Sequence, residues 1–168
     1  NNSRELLEKE DKNIDSVNVS TPDHMHGPIG LSAMDLGKHC YGQKPLAHNI
    51  KECRAMAQMA KSKKLMTQMG IQISSAFTER LVVSLVQQGA IGKVTKVHSF
   101  SGKKWGDMGP VPQKEDKIPE GFNWDLWLGV AKPRPYISGY YHPGNWRKRR
   151  DFGTGTFGDM GCHIFSGW

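Results

Sequence analysis

The hydrophobic positions change period repeatedly along the first seventy residues. Ile14–Ser20 is a short β-branched run, which predicts a strand with Val17 and Val19 on one face. Thr21-Pro22-Asp23 breaks it. Between Pro28, suited to a first helical turn, and Gly37, suited to the position past a helix end, Ile29, Ala33 and Leu36 recur at helical spacing. Lys38–Tyr41 reads as a second strand, and Gly42–His48 as a loop carrying Lys44-Pro45. Asn49, followed three residues on by Glu52, resembles a capping box. It opens a helix whose stripe is Ile50, Cys53, Met56, Ala57 and Ala60, and Lys64–Gln68 reads as a third strand. Strand, helix, strand, helix, strand with short links predicts a parallel sheet with right-handed crossovers. Ahead of it, Asn1–Asn13 looks like the tail of a helix and a loop.

The pattern then changes. Ser75–Gln88 pairs Leu81 with Leu85 and Val82 with Val86 four apart, which predicts a helix stopped by Gly89. Gly92–Ser101 alternates and predicts one amphipathic strand of an antiparallel sheet. Lys103–Gly121 and Pro133–Asn145 read as loops, with an aromatic turn or helix at Trp124–Leu128 between them. The glycine-rich stretch from Asp151 opens a last helix. The expected class is α/β: part of a parallel-sheet domain, followed by the start of an α+β domain with a mostly antiparallel sheet.

Charge and cysteine usage narrow this picture. No apolar run reaches the roughly 18 residues that a transmembrane helix needs. Cys40, Cys53 and Cys162 are odd in number and widely spaced, so neither a disulfide framework nor a zinc knuckle is suggested. The formal net charge is +7, part of it in Lys61–Lys64 and Arg147–Arg150. Trp146–Arg150 mixes aromatic and basic residues, but no stacking platform or groove-reading element accompanies it, so nucleic acid is not expected.

Four constellations could carry chemistry. Residues 153–158 fit G-x-G-x-x-G, yet a basic stretch rather than an apolar strand precedes them, and no acidic residue lies about 20 positions on. Asp159 and His163 are four apart. On one helix face they form a proton-transfer pair, a metal pair with Cys162 or His142, or a helix-start Asp beside a packed His. Lys44 follows a strand, where ligands of open parallel sheets bind; it is a ligand contact or a surface lysine. Thr21, Pro22, Asp23, His24 and His26 also follow a strand end, with no Cys or Glu partner to make the His-x-His a metal site.

Taken together, VSTPDHMHGPIGLSAMDLGKHCYGQKPLAHNIKECRAM, GAIGKV, WDLWLG, NWR and DFGTGTFGDMGCHI resemble, in order, the glucose–fructose oxidoreductase/inositol dehydrogenase (Gfo/Idh/MocA) family. The resemblance runs from about Ile14 onward. It implies a partial dinucleotide-binding Rossmann domain at residues 1–72 and a partial catalytic domain at 73–168. It implies NAD or NADP as cofactor and hydride transfer to or from a sugar or polyol carbinol carbon. Ser20, Thr21, Pro22, His26, Gln43 and Lys44 would line the cofactor. Lys44, Asp159 and His163 would be catalytic, with Asp159 orienting the other two. Trp146 and Arg147 would meet substrate, and no metal is expected. Gln43 stands where the family usually has Glu, which removes a negative charge beside Lys44.

Two further readings stay open: a glycoside hydrolase that uses bound NAD for transient oxidation and elimination, and a non-enzymatic sugar or cofactor sensor or nucleic-acid-binding module. The chain resembles the middle of the family's protein, so poor binding of NAD(H) by this stretch alone is expected. A homo-oligomer is expected at full length. The compartment is open, with the cytoplasm favoured and export compatible.

Overall fold

The computed structural model describes residues 2–165. Asn2 caps helix α1 (Ser3–Glu10), its side chain accepting from the Arg4 N–H. A single 3₁₀ turn leads to strand β1 (Ser16–Val19). Helix α2 (His26–Asp35), strand β2 (His39–Gln43), helix α3 (Ile50–Lys63) and strand β3 (Thr67–Gly70) follow. The three strands form one parallel sheet in the order β1-β2-β3, with Val19 opposite Gly42 and Gln43 opposite Gly70. Helices cross over between parallel strands because such strands cannot be joined by a tight turn.

Val19, Met34, Cys40, Ala47 and Met56 form the buried cluster between helices and sheet. Gly30 permits the close approach of α2: a Cβ there would lie 2.8 Å from the Met56 methyl.

Several boundaries differ from the sequence reading. Helix α2 begins two residues before Pro28, because a 3₁₀ turn at Asp23–Met25 feeds directly into it. β2 continues through Gln43, so the loop starts at Lys44. β3 begins at Thr67 instead of Lys64, because α3 runs through Lys63 and closes on Lys64 in the left-handed conformation. Asn49 does cap α3, its Oδ1 accepting from the Glu52 N–H at 3.0 Å. The return bond goes one residue further back: Glu52 accepts from the His48 N–H at 3.2 Å.

The second half is built differently. Helix α4 (Phe77–Gln87) falls within the expected Ser75–Gln88, starting two residues later after a 3₁₀ turn at Ile73–Ser75, and leaves Phe77, Leu81, Val82 and Leu85 exposed. Gly92–Ser101 is not a strand, a correction to the sequence reading. Alternation yields a strand only with a partner for its N–H and C=O groups. No strand among the described residues lies beside this segment, and Phe100 is 88% exposed. A mostly antiparallel sheet is therefore absent from the described residues.

Helix α5 (Trp124–Leu128) and helix α6 (Gly155–Ile164) frame an aromatic core instead. Trp124, Leu128, Tyr136, Ile137, Tyr141, Trp146 and Phe152 are its buried members. The Trp124 indole N–H donates to the Arg134 carbonyl at 2.7 Å.

Candidate active site

Parallel pairing puts the carboxyl ends of β1 and β2 side by side, and both loops that leave them face the second half. Between them lies a cavity of about 370 Å³. The first half contributes Ser20–Asp23, His26, Gln43 and Lys44 to its lining. The second half contributes Trp127, Trp146, Arg147 and Asp159, with His142 and Pro143 at the edge.

Lys44 and Asp159 stand 115 positions apart in sequence and meet at the centre. The Lys44 ammonium donates to Asp159 Oδ1 at 2.6 Å and to the Asp159 carbonyl at 2.6 Å. An ammonium has three N–H donors, so one remains for a ligand oxygen. Arg147 Nε adds a third contact, to Oδ1 at 3.3 Å. Burial on its own pushes the Asp159 carboxyl up; the Lys44 bond and the Lys44 and Arg147 charges outweigh it and hold the group below its usual value. The Arg147 guanidinium lies 4.3 Å from the Trp146 ring centroid, which fixes its plane.

Buried polar contacts join the two halves around this pair. Thr154 Oγ1 donates to Asp23 Oδ2 at 2.9 Å. Burial raises the Asp23 pKa, against the opposing effects of the Thr154 bond and the His26 charge. His24 is buried: its Nε2 donates to the Leu128 carbonyl at 3.1 Å, and its backbone N–H to the Phe152 carbonyl at 3.2 Å. Desolvation pushes its pKa down to about 4, so it is neutral at pH 7. His48 Nε2 donates to the Gly153 carbonyl at 3.1 Å.

The expected site residues separate into groups. Lys44, Asp159, Trp146 and Arg147 converge on the cavity, as do Ser20, Thr21, Pro22 and Gln43. His26 lies at the wall, but both ring nitrogens are 2.7 Å from carbonyls, those of Pro45 and Thr21. It ties the two strand-end loops together and has no ring nitrogen left for a ligand. His163 lies one turn beyond Asp159 on α6, yet Asp159 orients Lys44 and Arg147 rather than this imidazole. Its Nδ1 is buried without a hydrogen-bond partner. Burial and the Lys44 charge lower its pKa, against the effect of Asp159. No group of three His, Cys, Asp or Glu side chains among the described residues is placed to hold a metal.

Trp127 and His142 line the cavity without having been singled out for it, and Asp23 lines it after being read only as a member of the strand-end loop. Asp23 carried a signal, since an acid directly after Thr-Pro at a strand end is placed toward the ligand side. Trp127 reads as core and carried none.

The comparisons with known proteins bear on this geometry. Residues 1–71 match the family profile described as an oxidoreductase family, NAD-binding Rossmann fold. Residues 76–167 match the profile for the same family's C-terminal alpha/beta domain. The chain belongs to the Gfo/Idh/MocA oxidoreductase family. Levoglucosan dehydrogenase of Pseudarthrobacter phenanthrenivorans is 25% identical over 155 residues, covering 92% of this chain and 32% of that protein. An alpha-N-acetylgalactosaminidase of Shewanella oneidensis is 33% identical over 91 residues, 54% of this chain and 19% of that protein. The chain thus spans about a third or less of the length of these relatives. The solved myo-inositol 2-dehydrogenase of Lactobacillus plantarum superposes with a TM-score of 0.50 at 27% identity, over 54% of this chain and 26% of that one. An inositol dehydrogenase homolog of Azotobacter vinelandii shares the fold, with a TM-score of 0.50 at 22% identity over 54% and 25% of the two chains.

The cavity of this Gfo/Idh/MocA chain fits a nicotinamide group on one specific ground. Thr21 lines it, and its Oγ1 is buried with no hydrogen-bond partner. A buried hydroxyl without a partner costs about 1–3 kcal/mol, and a polar ligand against the Thr21 loop would remove that cost.

Proposed function

We propose that this chain forms part of an NAD(P)-dependent oxidoreductase that moves a hydride between a carbinol carbon of a sugar or polyol and nicotinamide. The observation that carries the reading is Lys44. It is held by Asp159 at the carboxyl ends of parallel strands and keeps one N–H free over a cavity with a partnerless Thr21 hydroxyl.

Ser20, Thr21, Pro22 and Gln43 would hold the cofactor side, with His26 fixing the two loops behind them. A nicotinamide, when bound, supplies the hydride acceptor or donor. The chain's own residues manage the oxygen and its proton. The free Lys44 N–H binds the substrate hydroxyl oxygen, and its charge stabilises the alkoxide character that develops there. Asp159 keeps the ammonium charged and aimed. His163 does not line the cavity, so the hydroxyl proton would reach its imidazole by relay through the Lys44 ammonium during oxidation and return the same way during reduction. Trp146 and Arg147 pack against the sugar. Residues 1–72 form the cofactor-side unit and 73–168 the substrate-side unit. Self-association of the full protein and a reducing compartment suited to three free thiols belong to the same reading. No described helix is long and apolar enough to cross a membrane.

The test incubates the full-length protein that carries this chain with a panel of sugars and polyols and NAD or NADP, and follows nicotinamide absorbance. Reduction with at least one polyol is expected, and its loss in Lys44→Met. Turnover unaffected by Lys44→Met would defeat the reading. The likeness to the alpha-N-acetylgalactosaminidase favours one second reading, glycoside cleavage through transient oxidation. Release of the aglycone with no net reduced nicotinamide would select it.

A further inference from the structure

A second cavity, of about 410 Å³, opens on the other side of Arg147. Its walls are His48, Arg147, Lys148 and Arg150, and its floor is the backbone of Gly153–Gly155. No carboxylate lines it. The carboxylates around this basic stretch are already engaged. Asp159 holds Lys44 and Arg147, Asp107 pairs with Arg149 at 2.8 Å, and Asp151 pairs with Arg134. Lys148 and Arg150 have no ion pair among the described residues, although the Lys148 charge acts on Asp107 across a longer distance.

The floor adds donors. Gly153 lets the loop fold back tightly, since a Cβ there would lie 2.7 Å from Arg147 Cα. Gly155 begins α6, and Thr154, at the capping position, gives its hydroxyl to Asp23 instead. The start of α6 therefore has no side-chain cap, and Gly155, its first residue, lines a cavity with cationic walls. Helix N-termini and arginines both favour oxyanions.

We propose that this cavity is a substrate subsite for an oxyanion, so that the sugar or polyol carries a carboxylate or phosphate. The inference rests on the oxidoreductase reading and narrows its substrate class. The substrate is favoured over the cofactor as source because Arg147 is shared with the catalytic cavity. None of the β1-end residues Ser20–Pro22 lines the second cavity.

Calorimetric titration of the 168-residue chain with inorganic phosphate, pyrophosphate, sorbitol and sorbitol phosphate tests it. Sorbitol phosphate is expected to bind more tightly than phosphate or pyrophosphate, and sorbitol the weakest of the four. Arg150→Ala and Lys148→Ala are each expected to weaken phosphate binding about tenfold. Arg150→Lys should retain most of it. Arg150 is exposed, so its loss spares the fold. Absent phosphate binding, or binding indifferent to both alanine variants, would overturn the site. Pyrophosphate binding more tightly than sorbitol phosphate would overturn the substrate assignment and give the cavity to the cofactor. The titration involves no turnover, so failure of the oxidoreductase reading shows separately, as absence of nicotinamide reduction with every sugar and polyol.

Discussion

In the first half, Val19, Met34, Cys40, Ala47 and Met56 fill the space under a three-stranded sheet, and every member but Ala47 sits in a strand or helix. In the second half, Trp124, Tyr136, Tyr141, Trp146 and Phe152 pack ring against ring with no strand among the described residues. Trp124 and Trp127 stack at 4.9 Å between centroids, and Trp127 meets Phe152 at 4.9 Å. Backbone ladders organise the first core. Large, rigid rings organise the second, where a few side chains bury the area that a sheet would otherwise supply. The site lies at their contact, because loops from the ordered core reach a surface that the aromatic core holds still.

The largest expected effect separates the two means of construction. Phe152 is fully buried and touches Trp127, Tyr141 and His24. Phe152→Ala should cost about 3–5 kcal/mol in denaturant unfolding and should diminish near-ultraviolet dichroism. Met56→Ala should cost less, about 2–3 kcal/mol, because a flexible Met lets its surroundings close in. Equal costs would erase the contrast between the cores.

Next comes the bridge between them. Asp159→Asn leaves the Lys44 ammonium largely buried without its countercharge, at an expected cost of about 3–5 kcal/mol. Lys44→Met combined with Asp159→Leu should recover much of that, measured by thermal unfolding. No recovery would mean that the pair does more for the fold than neutralise charge.

The pH dependence gives a smaller, graded effect. The folded-state pKa of His24 is about 4 against an ordinary 6.5. The unfolded chain therefore binds its proton first as pH falls. Stability from this group is full above pH 6.5 and drops about 1.4 kcal/mol per unit toward pH 4, levelling off below. The lowered pKa of Asp159 adds a loss at still lower pH, while the raised pKa of Asp23 acts in the opposite direction. His24→Gln, with an amide donor for the Leu128 carbonyl, should flatten the profile above pH 4. An unchanged slope would remove His24 from the account. Asn49→Ala, which removes only a cap, should cost about 1 kcal/mol by denaturant titration.

The same contrast explains what could be read from residues alone. Period-two and helical spacing are local, so the strand–helix alternation through residue 70 was legible, with errors only where an end is decided by one residue. Lys64 turning left-handed moved β3 by three positions, and that choice has no periodic signature. Gly92–Ser101 failed for the opposite reason: its alternation was real, and a strand is a property of a pair. Lys44, Asp159 and Arg147 were legible as chemistry, and so was Asp159 orienting Lys44, but not that it would make no bond to His163. Only the docking of the two cores decides that, and Asp23 and Trp127 entered the cavity by the same docking.

In the function we propose, Lys44 and Asp159 act as one unit at the site of hydride transfer. The direct measurement is the rate of nicotinamide reduction in wild type, Lys44→Met, Asp159→Asn and the double variant, with each variant's folding checked by circular dichroism. Residues that act as a unit give strongly non-additive losses, so the double variant should be about as slow as Lys44→Met alone. Losses that multiply, or an Asp159→Asn enzyme at the wild-type rate, would contradict the account.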